Sequence, residues 1–488
     1  MPKSFIIIGA GPAGYQSALE LRKAVADSKI TLIEKYKLGG TCLHRGCIPS
    51  KQLSCVEEKD YLKTLVKNKT LLMKGIEQKL LKANIEIIYG SASIEISESS
   101  FQVQVQDCDD EGYVINKNIE DESAKEVPQQ YPFLDENSLV NKNLSADYLI
   151  LASGSKPRKI DFDKHFKETD PEMSSTEIQK VKDKVISSDS FFCDIKLQKG
   201  FSDSYCFIGG GYIGIEIASM LAKLGKKVRV IESTEDILLF LDKELRERIK
   251  ANLTKQGIKI EVNVQNIEYQ NIPEDKIFVA IGREIVLPPI IHKEKNTVEK
   301  ITDKNTLLKK MSELKLNDSI FLVGDISEHM PLAHYAYAEA KSLAQYLGSQ
   351  TKANLEDNIT KGTSSRPRKN FIKPNLDLVP QVIFTDTEFA HCGMSLDKIK
   401  EKYPENFFII EKNWTENAKA RISHYERGYA RFIFEKSTRK ILACSLIGHS
   451  ATDLISIAVP LIHLNLSYEE IQNMIFPHPT LGELFVLD

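Results

Sequence analysis

Three things are scarce in this chain, and each scarcity excludes a class of protein. No apolar run approaches the roughly 20 residues needed to cross a bilayer; the best, around Leu454 to Leu464, is interrupted by Ser456, Pro460 and His463. Cysteine is thin at eight in 488 residues, too few for a disulfide-stapled secreted scaffold. Excess charge is missing as well. Sixty-five bases against 68 acids leave a formal charge of −3, where a nucleic-acid binder should show a strong basic surplus. The N-terminal Phe5-Ile6-Ile7-Ile8 falls short of the ~7–15-residue apolar core of a signal peptide. The expectation is a cytoplasmic protein that neither spans a membrane nor binds nucleic acid.

The length suggests about three domains, at about 150 residues each. Residues 4–34 read as strand, glycine turn, helix and strand. Ser4 to Ile8 is a short apolar run suited to a buried parallel strand. Gly9-Ala10-Gly11-Pro12-Ala13-Gly14 is the turn, helical periodicity runs from Tyr15 to about Ala26, and Lys29 to Glu34 is the next strand. The same unit returns as Tyr205 to Ile208, Gly209-Gly210-Gly211-Tyr212-Ile213-Gly214, a helix to about Leu224, and Lys227 to Glu232.

In such a unit the first glycine (Gly9, Gly209) permits a tight turn. The second (Gly11, Gly211) lets backbone approach a pyrophosphate, and the third (Gly14, Gly214) lets helix pack on strand. The phosphate then rests on the free N–H groups of the helix N-terminus. An acid closes the second strand in each copy, Glu34 and Glu232, placed to accept the ribose hydroxyls of an adenosine. Two full matches predict two dinucleotides. Glu232 would repel the 2′-phosphate of NADP, and Ser233-Thr234 offer no arginine to bind one, so NAD is the expected nucleotide. Arg229 lies in the same strand, its direction open at this point.

Two stretches read as excursions. Asp107 to Asn143 holds ten acids and three lysines; Ser349 to Pro374 holds six bases and two acids among Gly, Ser, Pro and Asn. Surface loops or linkers fit both compositions. Strand-like Gln381 to Thr385 and Ala430 to Phe434 then alternate with helical Ala451 to Leu464, which suggests a separate α+β domain.

The most informative stretch is Gly39-Gly40-Thr41-Cys42-Leu43-His44-Arg45-Gly46-Cys47-Ile48-Pro49-Ser50-Lys51. On a regular helix, residues five apart have Cα atoms about 8–9 Å apart, beyond the ~4.4–6.8 Å a disulfide tolerates. A bridge would need a bent first turn, with which Gly46 and Pro49 are consistent. The alternatives are two unpaired thiols or a pair of zinc ligands. Zinc would want two more ligands, and cysteines 55, 108, 193, 206, 392 and 444 are scattered singly. A thiol at a helix start near Arg45 or Lys51 would have a lowered pKa and be reactive.

Gly-Gly-Thr-Cys-x4-Cys-Ile-Pro-Ser-Lys between two such fingerprints resembles the flavoprotein disulfide reductases, within them most like the lipoamide-type enzymes. The resemblance runs nearly end to end. Leu149 to Ser155, with Ser153 and Gly154, matches the segment closing the first FAD lobe, and Val279-Ala280-Ile281-Gly282-Arg283 the exit from the NAD domain. Phe321-Leu322-Val323-Gly324-Asp325 matches the second FAD motif, followed by Leu332-Ala333-His334; Pro380 to Thr385 opens the interface domain. His478-Pro479-Thr480-Leu481-Gly482-Glu483 is similar to the family's terminal acid–base motif.

The fold implied is α/β: two Rossmann-like dinucleotide-binding domains and a C-terminal α+β dimerisation domain. Residues 1–160 and 283–348 would bind FAD and 161–282 NAD, with a linker over 349–374 and the interface domain over 375–488. FAD would take Gly9, Gly11, Gly14 and Glu34 on its ADP half, backbone near Ala92 at the adenine, and Asp325 on the ribityl chain, with Ser153, Gly154 and Ala333 beside it. NAD would take Gly209, Gly211, Gly214, Glu232 and Gly282, with Tyr212 as a lid. Cys47 would be the thiolate against the flavin and Cys42 the exchanging thiol. Lys51 would lie near flavin N5, paired with Glu216, and His478 with Glu483 would be the acid–base of the other subunit of a homodimer.

The activity implied is oxidation of a dihydrolipoyl dithiol by NAD, on a lipoyl-bearing protein domain or free dihydrolipoamide, in a 2-oxoacid dehydrogenase complex or the glycine cleavage system. Glutathione and mercuric-ion reduction are the alternatives; Ile48-Pro49-Ser50-Lys51 and Glu232 disfavour the first, and a tail without a cysteine pair the second. The chain departs from the family pattern in a compact Cys55 to Lys74, a short NAD domain over Val262 to Phe278, and the long acidic excursion.

Overall fold

The computed structural model describes residues 2–97, 100–106, 142–192, 200–294, 297–356 and 371–487. Residues 107–141 of the acidic excursion and 357–370 of the expected linker over 349–374 lie outside the described residues, and 349–356 continue the helix Ala333–Glu356 instead of forming a linker. The chain divides into two compact units: Met1–Ile48, Lys63–Lys156 and Arg283–Pro374 form one, and Pro49–Leu62, Pro157–Gly282 and Asn375–Asp488 the other.

The first unit is built on a five-stranded sheet in the order Ile320–Leu322, Tyr148–Leu151, Ser4–Ile8, Lys29–Glu34, Glu86–Tyr89, with every neighbouring pair parallel. Alternate side chains of a strand point to opposite faces, and here both faces are buried. Phe5, Ile7, Leu32 and Ile150 pack with Ala18 and Leu21 of the helix Pro12–Ala24 and Leu343 and Leu347 of the helix Ala333–Glu356. Ile6, Ile8, Ile33, Leu149 and Leu151 face a second sheet and its cover. That sheet runs Thr297–Ile301, Ile290–Glu294, Ser91–Ser97, Ser100–Gln106, Lys142–Leu144. Ala92 is buried in it, opposite Val105.

The first motif helix begins at Pro12 rather than near Tyr15 and stops at Ala24 rather than Ala26. Proline suits that first position, where its missing N–H would have had no helical partner and its fixed φ is already helical.

The second unit repeats the parallel plan in the order Lys259–Glu261, Lys227–Ile231, Ser204–Ile208, Lys276–Val279, Val185–Ser187. Between Glu261 and Lys276 only a single 3-10 turn, Tyr269–Asn271, intervenes. The C-terminal part is an antiparallel sheet, Gln381–Ile383, Phe389–Gly393, Ile441–Ile447, Tyr429–Glu435, Phe407–Asn413, packed against the helix Ala451–His463. Trp414 is fully buried in this core. A Cβ on Gly428 or Gly448 would come within 2.1 or 2.7 Å of its ring, so only glycine leaves room for the indole.

Candidate active site

The two glycine turns have the same internal logic. Gly9 and Gly209 sit at φ +98° and +105°, a region that favours glycine. A Cβ on Gly9 would strike Ala152 O at 2.4 Å, and one on Gly14 would strike Gly9 O at 1.7 Å; the same additions at Gly209 and Gly214 meet carbonyls at 2.5 and 2.6 Å. The middle glycines differ. A Cβ on Gly11 finds nothing nearer than 3.9 Å and one on Gly211 nothing within 4 Å. The fold does not fill the space before either helix. Gly11 and Gly211 are the N-caps and supply no side-chain cap, so the first-turn N–H groups can meet an anion. Both turns therefore fit a dinucleotide pyrophosphate.

Each acid is fastened to its own turn. Glu34 Oε2 accepts from Ala10 N at 2.6 Å and Oε1 from Tyr36 N at 2.8 Å. Glu232 Oε2 accepts from Gly210 N at 2.6 Å and Oε1 from Thr234 N at 2.8 Å. Burial holds the Glu34 carboxyl above its usual range despite those hydrogen bonds. At Glu232, burial also pushes upward, but the Gly210 and Thr234 hydrogen bonds outweigh it and the carboxyl falls below its usual range. Arg229 is engaged elsewhere: its Nε and Nη2 each reach Glu274 at 2.8 Å.

In the first unit, the segments following the strands Tyr148–Leu151 and Ile320–Leu322 form a connected polar cluster. Ser153 Oγ donates to Val286 O at 2.5 Å, and Val286 N donates to Gly154 O at 2.9 Å. Asp325 accepts from Ser155 Oγ at 2.5 Å, and that hydroxyl accepts from Arg283 Nε at 2.8 Å. Glu339, fully buried, accepts from Gly324 N at 2.6 Å and pairs with Lys373 at 3.3 Å. Ala333 opens the helix Ala333–Glu356. Ligands of open α/β sheets bind beyond the carboxyl ends of the strands, and Ser153, Gly154 and Asp325 stand there. Sequence reasoning missed Ser155, Arg283 and Glu339. A trace of Glu339 was visible as an acid among the small and apolar residues of Ala333 to Ala344.

The cysteines stand on two helices. Gly40–Arg45 ends at Gly46, whose φ −137° and ψ −111° leave the helical region, and Cys47–Cys55 begins at the second cysteine. The backbone turns out of the helix at Gly46, the kind of bend a Cys42–Cys47 bridge would need. Pro49 falls in the first turn of the new helix, where proline is tolerated. Gly40 lies against the first glycine turn, since a Cβ there would meet Gly11 Cα at 2.6 Å. Cys42 and Cys47 are half-buried. His44 is 2.8 Å through Nε2 from Leu38 O. A carbonyl only accepts, so Nε2 carries the hydrogen. Burial lowers the His44 pKa to about 4, which makes it a poor base near neutral pH.

In the second unit Lys51 Nζ meets Glu216 Oε2 at 2.8 Å. Tyr212, half-buried, is the first residue of the helix Tyr212–Lys223. Gly282, at φ +97°, accepts from Arg158 N at 3.0 Å. His478 Nδ1 lies 2.8 Å from Glu483 Oε1, and Thr480 N donates to Oε2 at 2.9 Å. The His478 contact and the Thr480 hydrogen bond hold the Glu483 carboxyl below its usual range. A carboxylate accepts, so Nδ1 donates, and in the neutral imidazole Nε2 then keeps the lone pair. That nitrogen belongs to a side chain that is 71% exposed. No helix among the described residues is long and apolar enough to cross a membrane.

Residues 3–340 match the family model described as pyridine nucleotide-disulphide oxidoreductase, and residues 379–488 match its dimerisation domain. The chain is 26% identical to the dihydrolipoyl dehydrogenase of Mycoplasma genitalium, covering 99% of this chain and 97% of that protein. It is 26% identical to the enzyme of that name from Staphylococcus aureus, covering 98% and 94%. Among solved structures, the HOCl-induced flavoprotein disulfide reductase RclA from Escherichia coli aligns at TM-score 0.68 and 19% identity, covering 99% and 98%. LpdA from Mycobacterium tuberculosis aligns at 0.70 and 15%, covering 99% and 98%. These two share its fold. The chain belongs to the pyridine nucleotide-disulphide oxidoreductase family and is an FAD- and NAD-dependent flavoprotein disulfide oxidoreductase.

Proposed function

We propose that the chain oxidises the dithiol of a dihydrolipoyl group with NAD as acceptor, as a homodimer in the cytoplasm. The observation that carries the reading is the His478–Glu483 pair, which presents Nε2 as a base of one fixed tautomer. Dithiol oxidation needs such a base, and imidazole works near neutral pH. The lipoyl group is favoured by the names of the curated relatives that align over almost the whole chain, and NAD by Glu232 together with an Arg229 already committed to Glu274.

In this reading Nε2 of His478 takes a proton from a substrate thiol. The thiolate attacks Cys42 of an oxidised Cys42–Cys47 disulfide, that S–S bond breaks, and Cys47 leaves as a thiolate. The second substrate sulfur then displaces Cys42, closing the lipoyl disulfide, so two electrons and two protons have left the substrate and the cysteine pair is reduced. FAD, when bound, would supply the two-electron relay between that pair and NAD, so that overall a dithiol and NAD+ give a disulfide, NADH and one proton. Gly9, Gly11, Gly14 and Glu34 would hold the ADP half of FAD, Asp325, Ser153, Gly154 and Ala333 would hold the remainder, and Lys51, paired with Glu216, would offer its ammonium to the flavin. Gly209, Gly211, Gly214, Glu232 and Gly282 would hold NAD, with Tyr212 as a lid over the nicotinamide. His478 of each subunit serves the cysteines of the other, which is why its imidazole is so exposed in one chain. The partner is a lipoyl domain of a 2-oxoacid dehydrogenase complex or of the glycine cleavage system.

A direct test compares turnover of dihydrolipoamide with NAD against glutathione disulfide with NADPH. The first pair should dominate. Faster glutathione reduction would overturn the substrate assignment.

A further inference from the structure

We propose that Phe384 is a positioning residue for the Lys51–Glu216 pair, touching the ammonium with its ring and the carboxylate with its backbone. The inference rests on the reading of Lys51 as the residue beside the flavin.

Glu216 is only 6% exposed, and a buried carboxylate has to be paired and hydrogen-bonded. Its two oxygens are divided: Oε2 meets Lys51 Nζ at 2.8 Å, and Oε1 accepts from Phe384 N at 3.0 Å. The Phe384 ring centroid lies 4.3 Å from Lys51 Nζ, well inside the ~6 Å reach of a cation–π contact. Three contacts thus close a triangle. Its corners come from the helix Cys47–Cys55, the helix Tyr212–Lys223 and the residue after the strand Gln381–Ile383.

The third corner is itself fastened. Asp386 N donates to Ser219 Oγ at 3.0 Å, and Lys223 Nζ pairs with Asp386 at 2.9 Å. Glu216, Ser219 and Lys223 are three and four apart, so they form one stripe along their helix. The segment carrying Phe384 is laid along that stripe, and its ring is not a loose neighbour. An ammonium tied to one carboxylate oxygen can swing about it. A ring face on a second side removes that freedom without taking a proton or adding a charge. Phe384 thereby sets where the positive charge of Lys51 stands, and that position governs how readily a bound flavin accepts electrons.

The bland alternative is that the half-buried ring only fills space. Phe384→Leu keeps the backbone donor and an apolar side chain but removes the π face; Phe384→Tyr keeps the face. Pentafluorophenylalanine at 384 keeps the shape and reverses the ring's charge distribution. The readouts are the midpoint potential of the bound flavin, the single-turnover rate of its reduction by NADH, flavin content and melting temperature.

Phe384→Leu and the fluorinated ring should each make the potential more negative and slow reduction on the order of ten-fold, with flavin content and melting temperature held. Phe384→Tyr should restore most of both. Lys51→Met is the reference. If it leaves the potential and the reduction rate unmoved, the flavin role of Lys51 fails. If Lys51→Met moves them while the fluorinated ring behaves as wild type, or Phe384→Tyr is as impaired as Phe384→Leu, the positioning role is overturned. Should Phe384→Leu not fold, the fluorinated ring decides alone.

Discussion

Glu34 and Glu232 make the same 2.6 Å hydrogen bond to the residue after the first glycine of their turns, in opposite surroundings. Glu34 is sealed within protein and burial raises its pKa; Glu232 is more open and its hydrogen bonds keep it ionised. If each acid meets an adenosine ribose as proposed, a nucleotide at the first site would be the more enclosed of the two. That is the division of labour expected between a resident cofactor and an exchanging one.

Replacing Glu232 with Ala should cost about 1–3 kcal/mol of nicotinamide-nucleotide binding, the scale of a charged hydrogen bond, or roughly 5–150-fold in affinity. Arg229 should stay with Glu274, so the variant should lose NADH without becoming an efficient user of NADPH. Titration with both nucleotides checks this; undiminished NADH binding would contradict the role given to Glu232.

Gly11→Val should yield a folded protein with little flavin. Nothing lies within 3.9 Å of a Cβ there, so the loss should appear in flavin absorbance with melting behaviour of the apoprotein retained. Gly14→Ala, whose Cβ would meet Gly9 O at 1.7 Å, should instead lower the melting temperature. Full flavin content in Gly11→Val would remove the pyrophosphate from that turn.

Cys42→Ser should abolish dihydrolipoamide oxidation while NADH oxidation by artificial acceptors, which take electrons from the flavin, continues. Undiminished dithiol turnover would end the exchange role of Cys42.

Glu483→Gln should lose about 10²–10⁴-fold of dithiol turnover, the range of a general base. The amide can turn its NH2 toward His478 Nδ1, which moves the ring hydrogen to Nε2 and occupies the basic nitrogen, as in a triad with the wrong tautomer. His478→Gln should be impaired similarly. Mixing it with Cys42→Ser under subunit exchange should restore some activity, because one hybrid site regains both groups. No recovery in confirmed heterodimers would place base and cysteines in one chain.

Stability should fall on acidification. His391 is buried between Ser445 Oγ at 2.9 Å and Gly393 O at 3.1 Å, and burial lowers its pKa to about 4 from an ordinary 6.5. The unfolded chain takes up its proton near pH 6.5, while the folded one resists until about pH 4. The contribution is complete above the first value and is lost as pH drops toward the second, amounting to about 3 kcal/mol. Melting temperatures measured across this window should fall more steeply for wild type than for His391→Gln.

The glycine turns, their acids and the cysteine stretch were legible because each is local: a few residues at fixed spacing whose chemistry follows from their own backbone. The first motif helix starts at Pro12, inside the glycine turn and ahead of the apolar periodicity that marks it from Tyr15, because proline suits a first helical turn. Ser155, Arg283 and Asp325 escaped as a cluster because they meet across 128 and 170 positions. Phe384 and Glu216, 168 apart, escaped likewise. No periodicity encodes such meetings, which follow from how sheets and helices pack. The pairing of Lys51 with Glu216, 165 apart, is legible only through family resemblance.

Trp414, wedged against Gly428 and Gly448, is the sole tryptophan of the chain. Its ring nitrogen finds no hydrogen-bond partner among the described residues. Ultraviolet emission excited at the indole edge therefore originates in one place, the core of the antiparallel C-terminal sheet. The protein carries a built-in optical probe whose colour follows the opening of that domain alone, with the two nucleotide-binding sheets left dark.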